Sequence, residues 1–84
     1  MFKNKCADGT NNRCGKQIAA RRKQWPEKMS QRILAEKLQE RGLDVDKNAI
    51  QRIESGERFV TDIELVEIAG FFGVSVDELL FEQE

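Results

Sequence analysis

The chain has 84 residues, of which 39% are hydrophobic and 35% charged, and 14 Lys and Arg against 15 Asp and Glu leave a net charge of -1. That length supports one small core and excludes two. No apolar run reaches the roughly 18 to 20 residues that cross a bilayer, and the N-terminal MFKNKCADGTNNRCGK lacks the apolar centre of a signal peptide, so a cytoplasmic protein with no membrane partner is expected. Residues 1–13 hold almost nothing apolar and are expected to be a flexible leader, with the folded domain over 14–84. From Gly15 the text KQIAARRKQ favours a helix, which must stop near Gln24 because Trp25 precedes Pro26 and is pushed out of helical geometry.

Ser30 can cap a second helix, Gln31 to Arg41, that turns Leu34 and Leu38 inward and Arg32, Glu36, Lys37 and Glu40 outward, with Gly42 as its left-handed stop. Asp46 caps a third, Lys47 to Ser55, where Val45 can pack on Ile50 as a hydrophobic staple and Gly56 closes the end. Thr61-x-x-Glu64 and Ser75-x-x-Glu78 are capping boxes for two more. The first opens a run with Leu65, Ile68, Ala69 and Phe72 at helical spacing, and the second carries Val76, Leu79 and Leu80. The expected fold is all-α with five helices; Val74 to Val76 reads as a linker, not a strand.

Charge is unevenly spread. Every Lys and Arg lies within 1–58, which carries +6, whereas 59–84 holds seven acids and no base. The basic part suits a polyanion. With two cysteines and no histidine, a zinc site would need carboxylates or a second chain, so Cys6 and Cys14 are expected as reduced thiols and no metal or cofactor is expected.

At 100° per residue, helix three places Ile50 and Ile53 on one side and Asn48, Arg52 and Ser55 on the other, with Lys47 and Gln51 flanking. Asn and Gln can bond bidentately to adenine, and Lys and Arg to guanine, so this face suits base edges in a major groove. Any amphipathic surface helix also shows polar residues outward. The preceding helix and the glycine-containing turn from Gly42 to Val45 make a helix-turn-helix arrangement within the basic part.

SQRILAEKL, AIQRIESGERFVTD and LVEIAGFFGVSVDELL together resemble the phage-repressor (lambda repressor and Cro-like) helix-turn-helix family over about Gly15 to Leu80. The resemblance implies a five-helix lambda-repressor-like DNA-binding domain whose helices two and three form the motif. Gln31 looks like the family's glutamine that touches the DNA backbone and buttresses the base-reading residues. Lys47, Asn48 and Gln51 match exposed recognition positions. Arg52 is similar to an arginine placed near phosphate, Ser55 and Arg58 resemble backbone-contacting positions, and Arg22 in helix one is a further phosphate candidate. Ala35, Ile50, Ile53, Leu65, Ile68 and Ala69 match core positions, and Glu54 matches a glutamate read as an internal ion-pair partner.

Two departures stand out. QERGLDVDKNA lengthens helix two or its turn by about five residues relative to shorter members. WPEKM stands where the family has a shorter turn, with Arg21 at a place often apolar and Trp25 available to plug the gap.

The resulting expectation is a sequence-specific regulator of transcription, a repressor of phage or bacterial type, acting on double-stranded DNA as a homodimer at a palindromic operator. Self-association would use helix five, the acidic end around Phe81, or the leader. The alternative is a protein-binding module of the same fold, such as an antitoxin or partner-docking domain, that makes contact through acidic helices four and five. An enzyme is not expected: there is no histidine, tyrosine or phosphate-cradling glycine loop.

Overall fold

The computed structural model describes residues 5–81, in which five α-helices follow one another: α1 (Gly15–Lys23), α2 (Gln31–Glu40), α3 (Lys47–Ser55), α4 (Asp62–Phe72) and α5 (Val76–Leu80), with no strand among the described residues. The last four begin where an oxygen-bearing side chain meets an orphan amide. Ser30 accepts from Ile33 N–H, Asp46 from Ala49 N–H, Thr61 from Glu64 N–H and Ser75 from Glu78 N–H. At Thr61 and Ser75 the glutamate also accepts from the cap's own N–H, which completes both expected capping boxes.

Each helix contributes to one core. Ile18 of α1, Leu34, Ala35 and Leu38 of α2, Ile50 and Ile53 of α3, Ile68 and Ala69 of α4 and Leu79 of α5 are all buried. At roughly 1.5 to 3 kcal/mol per large apolar side chain, this cluster is the main source of stability. Leu65, expected in the core, is only partly buried against it.

The connection between α2 and α3 is residues 41–46. α2 stops at Glu40, and Gly42, at φ 91°, lets the chain reverse so that Leu43 N–H reaches Leu38 O at 3.2 Å and Gly42 N–H reaches Gln39 O at 2.9 Å. Leu43 and Val45 are then buried, and Gln39 Nε2 donates to Val45 O at 2.8 Å. The long turn is thereby pinned to the core at two points. In the α1–α2 connection Trp25 stacks on Phe71 at 5.2 Å and meets Phe72 edge-on at 5.7 Å.

Within the segment expected as a flexible leader over 1–13, Asn11 and Asn12 are bonded to the domain; residues 1–4 lie outside the described residues. Asn11 N–H donates to Gly56 O at 2.7 Å and Asn11 Nδ2 to Glu57 O at 2.8 Å. Asn12 Nδ2 donates to Ile53 O at 3.0 Å and Arg58 O at 2.8 Å, while its Oδ1 accepts from Gly15 N–H at 2.8 Å. Composition missed this because the ordering comes from polar bonds and not from apolar burial. Gly15 is required at that junction, since a Cβ there would collide with Ile53 O.

Candidate nucleic-acid interface

Helix α3 is set by its ends and its underside. Asp46 accepts from Ala49 N–H at 2.8 Å, Gly56 closes the C-terminus at φ 87°, and Ile50 and Ile53 are buried. Lys47, Asn48, Gln51, Arg52 and Ser55 are all exposed and share an arc of about 140° on the opposite side. Lys47, Asn48, Gln51 and Arg52 use their side chains on no partner among the described residues. Ser55 Oγ turns back to Arg52 O at 3.1 Å.

Beside this face, Arg22, Ser30, Gln31, Arg32 and Lys47 line one open cleft. The N-terminus of α2 therefore lies next to the first turn of α3. Amides at a helix start and two bases flanking the opening form a place where an anionic oxygen is stabilised. Arg32, a base directly after the Ser30-Gln31 start of helix two, also lines this cleft. It is well exposed, and its ion pair with Glu36 at 2.8 Å is a solvated i, i+4 contact.

Two arginines expected at the DNA surface are turned inward. Arg22 donates Nε to Glu54 Oε2 at 2.7 Å, Nη2 to Glu54 Oε1 at 3.0 Å and Nη1 to Met29 O at 3.0 Å. Its side chain is 13% exposed and that of Glu54 8%, so this is an internal clamp between α1 and α3, and the bond to Glu54 holds the Arg22 guanidinium above its ordinary value. Glu54 is thus an ion-pair partner. Gln31 Nε2 joins the same carboxylate at 3.1 Å, which fixes the start of α2 to α3.

Arg58 is held the same way. Its guanidinium forks onto Glu64 at 3.1 and 2.9 Å, and Nη1 also donates to Phe59 O at 3.2 Å. The bonds to Glu64 raise the Arg58 value and, with the Thr61 cap, hold the Glu64 carboxyl below the usual carboxylate range. Glu54 was expected as an internal ion-pair partner, but its base was not assigned from sequence, since Arg22 lies 32 residues away.

Across the C-terminal end of α3, the 6–13 segment, the start of α1 and the end of α5 enclose a half-open pocket of about 360 Å³. Cys6, half-buried, lines it; Cys14 is buried in the core, its thiol pushed up to about 11 by loss of solvent, and both are free thiols. Among the described residues no cluster of three or more His, Cys, Asp or Glu could hold a metal ion, and no helix is long and apolar enough to cross a membrane.

A family model described as helix-turn-helix matches residues 18–79, about three quarters of the chain, and spans α1 to α5 with the exposed face of α3 at its centre. The contacts made by residues 10–12 fall outside that match. No curated protein and no solved structure matches the chain.

Proposed function

The chain belongs to the helix-turn-helix family, a family of DNA-binding regulatory domains and not of enzymes, and on that premise we propose that it is a sequence-specific transcriptional regulator of double-stranded DNA, a repressor of bacterial or phage type. The observation that carries the proposal is the exposed row Lys47, Asn48, Gln51 and Arg52 on a helix pinned from below by Ile50 and Ile53. In the proposed complex α3 enters the major groove; Lys47, Asn48 and Gln51 meet base edges. Arg52, Ser55, Gln31 and Arg32 meet phosphates.

Arg22 and Arg58 act one step behind that surface. Arg22 locks α1 to α3 through Glu54, and Arg58 locks the segment after α3 to α4 through Glu64. A recognition helix reads only a few base pairs, so two copies on a palindromic site, with recognition helices roughly 34 Å apart, double the contact set. Such a regulator acts in the cytoplasm.

Selection of purified protein on random duplex DNA tests the reading. We expect enrichment of one short motif with two-fold symmetry, and Asn48→Ala is expected to relax the preference at a single position of each half. Failure to enrich any motif, with binding equally strong to all sequences or absent, would falsify the proposal.

A further inference from the structure

We propose that the exposed apolar face of α4 is the surface through which two copies of this chain pair, their α4 helices antiparallel about a two-fold axis at Val66. The inference rests on the dimeric reading above and supplies its interface. Ile63 is 72% exposed and Val66 57%, with Phe59 at 59% just ahead of the helix. Positions 63, 66 and 70 fall within about 60° of one another on α4. Its other side is occupied, since Ile68 and Ala69 are buried where α4 packs on α2 and α5.

Charge decides the occupant. The segment 59–84 has seven acids and no base of its own, so two such surfaces would repel unless a base were brought to them. Arg41, from the end of α2, is that base. Because residue 70 is glycine, the Arg41 guanidinium lies along the helix, where a Cβ on residue 70 would stand 3.0 Å from its Nη1, and it reaches Glu67 at 3.3 Å. At the opposite end of the row Asp62 is exposed in the first turn.

Antiparallel pairing about Val66 sets residue 62 of each copy against residue 70 of the other. Each Asp62 then meets the other copy's Arg41, twice by symmetry, with Ile63 and Val66 between. Parallel pairing would align Asp62 with Asp62 and Arg41 with Arg41. The row is complementary to an inverted copy of itself, which is the property of a two-fold interface. Three apolar side chains are few against the roughly 800 Å² per partner of a standard interface, so the pair is weak in solution and is completed by adjacent binding on DNA.

Cross-linking of the full chain tests this. In a Cys6→Ser background, with Cys14 buried, Val66→Cys is expected to form a covalent dimer on mild oxidation, whereas Lys37→Cys on the outer face of α2 is not. Adding Ile63→Asp to the Val66→Cys chain is expected to cut the rate about tenfold or more. Asp62→Arg should also slow it, and Arg41→Asp added to Asp62→Arg should restore it. Helicity measured by circular dichroism keeps lost pairing apart from lost fold, since these side chains are exposed.

If Val66→Cys cross-links no faster than Lys37→Cys, or the Ile63 change has no effect, the interface is refuted. Binding to a half-site duplex separates the two readings. Half-site binding without cross-linking would overturn the interface alone, and cross-linking without DNA binding would overturn the regulator reading alone.

Discussion

Glu64 does three jobs with one carboxylate: it accepts from the Thr61 cap and from both nitrogens of the Arg58 fork. These bonds lower its folded value below its ordinary 4.5. Its contribution to stability is therefore complete above 4.5 and is lost as pH falls through the lower folded value. Urea unfolding of wild type and Glu64→Gln should show a stability gap at neutral pH that closes in acid; a gap that persists below the folded value would contradict the assignment. Arg21 offers the opposite case. Its Nε is buried without a partner. Leaving such a donor unsatisfied costs about 1 to 3 kcal/mol, so Arg21→Leu is expected to raise stability by about 1 kcal/mol in the same urea experiment.

At the scale of elements, the C-terminal part of helix α3 is held by two sets of contacts. The Arg22–Glu54–Gln31 cluster fixes it to α1 and α2, and Asn12 ties its C-terminus to α1 through Ile53 O, Arg58 O and Gly15 N–H. Asn12→Ala removes three partly buried hydrogen bonds to backbone groups and a long one from Cys14 Sγ at 3.9 Å, and is expected to cost about 2 to 3 kcal/mol. Thermal melting checks this, and a change under 0.5 kcal/mol, in the range of an ordinary surface substitution, would show that the segment is not a brace. The helix starts and stops were legible because they are local: Ser30, Asp46, Thr61 and Ser75 each cap an amide three residues away. The outward face of α3 was legible from periodicity. The docking of residues 10–12 was not, because Asn11 and Asn12 bond residues 41 to 46 positions away through side chains that resemble loop composition. The inward turn of Arg22 and Arg58 was hidden for a related reason. A basic residue looks the same in sequence whether it meets a phosphate or a glutamate; the packing of α1 on α3 decides for Arg22, and that of the segment after α3 on α4 decides for Arg58.

For the whole molecule, the net charge of -1 conceals a basic 1–58 and an acidic 59–84. Helix α3 and the cleft at the start of α2 lie in the basic part, and the apolar row of α4 lies in the acidic part. The proposed DNA contact and the proposed self-pairing thus draw on helices from segments of opposite net charge. The pairing face was not legible in the sequence, where Ile63 and Val66 look like any other members of an apolar helix and α5, Phe81 or the leader offered themselves first. The most direct test of the account is the salt dependence of binding to the selected duplex, measured for wild type, Arg52→Ala and Asn48→Ala. Arg52→Ala is expected to weaken binding to all sequences alike and to reduce the slope of log affinity against log salt by about 1. Asn48→Ala should leave the slope intact and cost about 1 to 3 kcal/mol only on the selected site. An unchanged slope for Arg52→Ala together with no selective loss for Asn48→Ala would show that α3 does not read DNA.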